Sequence, residues 1–487
     1  MIRYLLLGIL VAAFGCVDNR IDKPKPNIVF IYTDDQASWT INALGNPQAY
    51  TPNIDQLITE GAHMVNSFVT TPVCSPSRAS IMTSQYASEF NILDFIPHPR
   101  HRLYNPEKEV GLDSTNTTFV ELIQRNGYTT GLVGKYHLGD WTQSSDKQYH
   151  PTNQGFDYFM GLTGGGESPI NPVLEKDGVI DTIKGLTTDI LTDHGLAFIE
   201  NNKEQPFLLC LNYRAPHSKF LPVADEDWAP YETLDPKIPN PDFPDLNIEK
   251  TKRKMKEYLA SVSGIDRNVG RILGRLKSLG LEENTLVIFT SDHGYMMGHN
   301  GIEHKGNGYW ITNTPRAATE NLAKNSRPNL YDHALRVPAI VKWPNVISAG
   351  LKIEETTSNL DWYPTLLAIT DTPLPKEKVV RGKNILPLLK GEKISDWDNS
   401  FYAEYSMINY STAYMRAYRT PEWKLVIDFK DSLRNELYHL EEDPEERHNL
   451  YKVQEAVIEN QKRVLREKII RQMRKLNDPL LKGIDIE

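Results

Sequence analysis

Cysteine is nearly absent: the 487 residues include three, Cys16, Cys74 and Cys210. A framework of disulfides is therefore excluded as what holds the fold. Cys210 lies in the apolar run Phe207-Leu208-Leu209-Cys210-Leu211 and reads as a small buried hydrophobe. Positive charge is also short. Lys and Arg number 54 against 63 Asp and Glu, and the formal charge of −9 argues against nucleic acid as a partner. An anionic substrate must then be drawn by a local basic pocket. Low-complexity tracts and internal repeats are missing, and the apolar run at residues 5–14 is too short to span a bilayer. What is left is the composition of a globular protein, long enough for one large α/β domain and a smaller second one.

Residues 1–16 have the build of a secretory signal: Arg3, the apolar run, then Gly15-Cys16. Ala13-Phe14-Gly15-Cys16 resembles a bacterial lipobox, with Phe14 an unusual occupant. The implied outcome is cleavage before Cys16 and lipidation of its thiol; ordinary signal cleavage nearby is the alternative. The expected location is the periplasm or the cell surface of a Gram-negative bacterium, with contact to the membrane only through that anchor. Residues 17–26 form a linker, stiffened by Lys23-Pro24-Lys25-Pro26.

The stretch Thr70-Thr71-Pro72-Val73-Cys74-Ser75-Pro76-Ser77-Arg78 organises the rest. An apolar run (64–69) enters it and a short helix from Arg78 to about Thr83 leaves it. Cys74 then stands just before a helix start, where free N–H groups and the helix dipole favour an anion. Arg78 returns to the same side one turn later.

Four short apolar runs read as buried parallel strands, and each ends in polar residues. Residues 27–32 lead to Asp34-Asp35, residues 129–133 to Lys135 and His137, residues 207–213 to Arg214-Ala215-Pro216-His217, and residues 285–290 to Asp292-His293. Strand alternation allows Lys135 and His137 to share a face. Adjacent carboxylates at a strand end repel each other unless a cation joins them. In open α/β sheets ligands bind at that C-terminal rim. The run from His98 to His101 and the basic residues Arg100 and Arg102 read either as a wall of the cleft or as a solvated loop. Three further runs (401–405, 413–419 and 423–429) suggest a small antiparallel sheet, followed by an amphipathic helix at 453–473.

Cys74-Ser75-Pro76-Ser77-Arg78 resembles the pentapeptide of the type I sulfatases, and the match continues through Gly134-Lys135-Tyr136-His137, Ala215-Pro216-His217, Asp292-His293 and the segment 436–450. The resemblance covers residues 27–450. It implies an alkaline-phosphatase-like α/β sandwich, a large central sheet flanked by helices, over residues 27–395. A smaller C-terminal α/β domain with an antiparallel sheet would occupy residues 396–487. It implies oxidation of Cys74 to formylglycine by a sulfatase-maturating enzyme. Asp34, Asp35, residue 74, Asp292 and His293 would hold one Ca²⁺, with Mg²⁺ or Mn²⁺ as alternatives. Arg78, Lys135, His137 and His217 would serve catalysis. For a second lysine, Lys305 and Arg327 compete, and Lys305 is chosen because an ammonium can give up a proton where a guanidinium scarcely can. Arg100, His101 and Arg102 are candidate substrate-binding residues. The implied activity is hydrolysis of sulfate esters of carbohydrate. Its alternatives are a phosphoric ester or phosphonate hydrolase of the same superfamily, or a glycan-binding lipoprotein if Cys74 is never oxidised.

Overall fold

The computed structural model describes residues 24–143 and 147–483. The expected signal, its lipobox and residues 17–23 of the linker lie outside them. Ten strands form the central sheet: β1 (Asn27–Thr33), β2 (Ala62–Met64), β3 (Thr129–Lys135), β4 (Tyr158–Leu162), β5 (Val173–Lys176), β6 (Val179–Thr182), β7 (Phe207–Asn212), β8 (Thr285–Ser291), β9 (Ala339–Lys342) and β10 (Leu351–Ile353). Their order is β10-β2-β9-β8-β1-β7-β3-β4-β5-β6. The inner block β8-β1-β7-β3-β4 is parallel throughout, while β9 and β5 run against their neighbours. Every residue of β1, β7 and β8 is buried, the reason these strands read as continuous apolar runs.

Alternate side chains of β1 feed two cores, as the period of a strand requires. Ile28, Phe30 and Tyr32 pack with Ile81 of α2 (Cys74–Thr83), Val120 of α3 (Phe119–Arg125) and Leu366 of α6 (Trp362–Ile369). Val29 and Ile31 face the other way, with Leu57 of α1 (Pro52–Glu60), Ile190 of α4 (Thr187–Asn201) and Val269 of α5 (Ile248–Ser278). The result is a sheet between two helical layers. No helix among the described residues is long and apolar enough to cross a membrane.

Beyond it lies a four-stranded antiparallel meander, β11 (Phe401–Met407), β12 (Ala413–Arg419), β13 (Trp423–Asp428) and β14 (Glu436–His439), covered by α7 (Ala456–Leu476). The fourth strand was not anticipated. It forms because Leu437 is buried with Leu425 and Ile469 beneath α7. Two other segments differ from expectation. The run at 64–69 is broken by a turn at Val65-Asn66, so β2 stops at Met64 and only Ser67–Phe68 extends again. And α2 starts at Cys74 itself, not after it.

A buried ion network joins the two parts. Asp332 accepts from Arg419 Nε at 3.0 Å and from Lys424 Nζ at 2.8 Å. Glu446 accepts from the same Lys424 at 2.6 Å and from the backbone N–H of Asp332 at 2.6 Å.

Candidate active site

Four adjacent parallel strands release the chain on one rim. Asp34 and Asp35 follow β1, Asp292 and His293 follow β8, His137 follows β3 two residues beyond Lys135, and His217 comes five residues after β7. The first turn of α2 closes the space between them. Val73 is extended and caps the helix, and the first intrahelical N–H belongs to Ser77, which donates to Val73. Pro76 therefore occupies a position whose missing N–H costs nothing. Arg78, one turn past Cys74, donates from Nε to Asp292 Oδ2 at 3.0 Å and from Nη1 to the Lys135 carbonyl at 3.0 Å, and its guanidinium lies 4.9 Å from the Tyr32 ring centre.

Acceptor atoms crowd at the centre. His293 Nδ1 donates to the Gly294 carbonyl, which leaves the Nε2 lone pair facing inward. That nitrogen is 3.1 Å from Asp35 Oδ1, 3.4 Å from Asp292 Oδ1 and 3.5 Å from Cys74 Sγ; Cys74 Sγ is 3.6 Å from Asp34 Oδ1. Ligand atoms at right angles about 2.4 Å from a cation stand about 3.4 Å apart. Asp35 Oδ2 is buried with no partner. Asp34, Asp292, His293 and Cys74 bring one ligand atom each within 4.8 Å of one another, a set that fits one divalent cation, and a second overlapping set joins His217 to Asp34, Asp35 and Cys74.

Two ammonium groups reach the centre. Lys135 Nζ is 2.6 Å from Asp34 Oδ2; Lys305 Nζ is 2.6 Å from Asp35 Oδ1 and 2.8 Å from Cys74 Sγ. Burial works against charge here, yet Lys135 and Arg78 hold the Asp34 carboxyl well below the usual range, and Lys305 does so for Asp35. Asp35, opposing the same burial, holds Lys305 well above its usual value. The thiol goes the other way: burial pushes Cys74 up to about 12 in spite of both lysines.

The histidines are neutral. Burial, then Lys135, holds His137 well below its ordinary value, and burial brings His217 down to about 3. His137 Nε2 donates to the Ile96 carbonyl at 2.8 Å, leaving a buried Nδ1 lone pair without a partner. A Cβ on Gly165 would fall 2.3 Å from that ring, so only glycine lets the 163–166 backbone pass. Strand alternation is not what aligns Lys135 and His137. β3 ends at Lys135, and His137 has a left-handed φ of 60°. His217 Nδ1 donates to the Ser218 carbonyl at 2.6 Å.

Of the two candidates for the second basic position, Lys305 lies in the centre. Arg327 is turned away, bonded to Glu436 and, at 3.0 Å, to Tyr331. Arg100, His101 and Arg102 lie outside the centre, on a loop that starts at Ile96, whose carbonyl binds His137 and whose N–H donates to Ser75 Oγ at 3.0 Å. Arg100 and Arg102 are exposed. Two residues escaped the reading of the sequence. Tyr410, at the β11–β12 turn, has its ring 5.5 Å from the Arg102 guanidinium and its hydroxyl 3.3 Å from His101 Nε2. No motif marks it, since it is joined to the rim only by folding. Arg214, beside the recognised Ala-Pro-His, is buried near Asp34 and Asp35, and burial lowers its pKa to about 10.

A parallel-sheet rim that gathers a helix-borne cysteine, carboxylate and imidazole groups able to hold a cation, and two buried lysines belongs to the alkaline-phosphatase-like fold. The pattern of the Sulfatase family matches residues 26–372, and that described as N-sulphoglucosamine sulphohydrolase, C-terminal, matches residues 326–475. The chain belongs to the sulfatase family and is a sulfuric ester hydrolase. Among its relatives are N-acetylglucosamine-6-O-sulfatase of Bacteroides thetaiotaomicron, 25% identical over 90% of this chain and 85% of that one. Steryl-sulfatase of Rattus norvegicus is 27% identical over 85% and 77% respectively. A protein solved in complex with its substrate D-glucosamine-2-N,6-O-disulfate shares the fold with a TM-score of 0.75 and 22% identity, over 93% of this chain and 99% of that one.

Proposed function

We propose that this chain is an exported carbohydrate sulfatase, anchored through Cys16, that removes sulfate from a galactose- or hexosamine-based mono- or oligosaccharide. One observation carries the reading: a thiol held protonated by burial, a poor nucleophile as it stands, lies against Asp34, His293 and Lys305. Oxidised to formylglycine and hydrated, residue 74 would supply a hydroxyl in place of that thiol. Asp34, Asp35, Asp292 and His293 would hold a Ca²⁺, favoured by three carboxylates, and a cation there lowers the pKa of a bound hydroxyl and polarises a sulfate oxygen.

The chain's own residues supply the rest. Arg78 fixes Asp292 and, with Lys135, offers positive charge to the sulfate oxygens as negative charge gathers on them. The free Nδ1 of His137 is the base. Lys305, held protonated, is the proton source for the departing sugar oxygen, assisted by His217 once the incoming anion raises its proton affinity. Sulfate monoesters carry one negative charge where phosphate monoesters carry nearly two, and one cation with these basic groups fits the smaller load. The hexosamine preference is supported by the sugars named for the bacterial relative and the structural neighbour.

The test is mass analysis of residue 74 combined with turnover of sulfated N-acetylglucosamine, sulfated galactose and the matching phosphate esters. The aldehyde in active preparations, and hydrolysis of sulfates over phosphates, is the expected result. A fully active preparation holding only unmodified Cys74, or a preference for phosphate, overturns the reading.

A further inference from the structure

A second constellation of ligand-type side chains lies apart from the catalytic centre and shares no residue with it. His299 is on a single turn (His299–Gly301) of the loop that leaves His293, His333 is on the short helix Asp332–Leu335, and Glu445 follows β14 in the C-terminal part. One ligand atom from each of the three lies within 4.8 Å of the others. The two imidazoles are packed with ring centres 3.7 Å apart at 33°, and His333 Nε2 is 3.0 Å from Glu445 Oε2.

The ring of His299 is oriented in advance. Its Nδ1 donates to the Met296 carbonyl at 2.6 Å, which fixes the tautomer and leaves Nε2 as a free lone pair, the arrangement found behind metal-bound histidines. Glu445 brings the carboxylate, its Oε2 turned toward the His333 ring. Arg336 also acts on Glu445 but is itself held by Asp332 at 3.1 Å. His333 and Glu445 line a cleft of about 620 Å³, which gives an ion a way in and room for water as a fourth ligand.

We propose that His299, His333 and Glu445 form a second metal site, taking Zn²⁺ or a similar transition ion with one water. Two imidazoles and one carboxylate are a zinc donor set; Ca²⁺ and Mg²⁺ prefer oxygen throughout. The ion joins three segments far apart in sequence. One of them, the loop 294–305, carries Lys305 at its end and is held by the Met296 N–H to the His304 carbonyl at 2.8 Å. Zinc therefore braces the catalytic loop from behind and ties it to the C-terminal part.

The experiment uses tag-free full-length protein carrying Cys74→Ser and Asp292→Ala, so that the catalytic centre is disabled. Titration with Co²⁺ should give one equivalent with the intense visible absorption of a tetrahedral site, displaced by Zn²⁺. Adding His333→Ala, or Glu445→Gln at a largely exposed position, should weaken Co²⁺ binding by more than about a hundredfold. Zn²⁺ should raise the melting temperature of the parent and not of these variants. Absence of the band, or a band that both substitutions leave unchanged, overturns the proposal. Far-UV spectra of the metal-free variants matching the parent show that a lost band is not lost folding.

Discussion

The protein buries two clusters of charge, and they are finished to different degrees. In the network between the central sheet and the C-terminal meander, every carboxylate oxygen is used. Asp332 takes Lys424 on one oxygen and Arg419 and Arg336 on the other; Glu446 takes Lys424 on one and the Asp332 N–H on the other. At the catalytic rim, Asp35 Oδ2 and His137 Nδ1 are buried with nothing to bind, and the Cys74 thiol is held in its protonated form. A satisfied buried network is a clamp. An unsatisfied one, kept by a stable scaffold, is where a reactant or an ion has its place.

Four tests sharpen that contrast. The largest effect belongs to the unfinished cluster: Cys74→Ala should lower turnover of every sulfate ester by at least about a thousandfold. Its melting temperature, read by calorimetry, should stay within a few degrees of wild type. A residual rate within tenfold of wild type would remove Cys74 from the mechanism. The finished cluster should respond in the opposite sense. Asp332→Ala strands Arg419, leaves Lys424 with Glu446 alone and should cost about 3–5 kcal/mol in urea unfolding, with kcat/KM per folded molecule unchanged. If activity falls while stability holds, the two clusters are not separate.

Asp94 offers a pH-dependent test. Burial pushes its carboxyl up to about 6 although the N–H groups of Ile408, Phe95 and Asn409 donate to it. The folded value lies above the unfolded value of about 3.9, so the native state binds the extra proton between the two. The stability this group contributes is whole below about pH 4 and is lost as the pH rises through about 6. The stability of wild type minus that of Asp94→Asn should therefore fall by on the order of 2–3 kcal/mol from pH 4 to pH 7. A flat difference across that range contradicts the assignment. Smallest is the rim: Arg100→Ala, Arg102→Ala and Tyr410→Ala should each raise KM for a sulfated oligosaccharide by up to about tenfold, leaving a small aryl sulfate unaffected. Equal losses on both substrates would mean that this rim holds no sugar.

The catalytic rim could be read from the sequence because parallel strands announce themselves as apolar runs and each ends where its polar residues begin. Asp34, Lys135 and Asp292 follow that rule, and the resemblance to the sulfatases gave them their expected roles. His137 is placed by something else, a left-handed backbone against Gly165, which no strand pattern contains. Lys305 came from chemistry and was brought to the centre by a loop with no periodicity to read. β14 was missed because its four residues gain their strand character from α7 above them. Tyr410 and the His299–His333–Glu445 constellation are tertiary in origin: their members are neighbours only after the C-terminal part has docked.

The turn between β11 and β12 reaches that docked position in an unusual way. Asp94 grips the N–H groups of Ile408 and Asn409 at 3.0 and 3.1 Å, and Ser411 Oγ accepts from Ala323 at 2.7 Å, so the five residues 408–412 are fastened at both ends to loops of the large domain. The hairpin is thus a replaceable part. Its tip can be lengthened, shortened or recoloured with other side chains while the anchors and the sheet behind them stay put. Substitutions at that tip, close to residue 74 in space only through folding, would change what the rim presents while leaving its anchors in place.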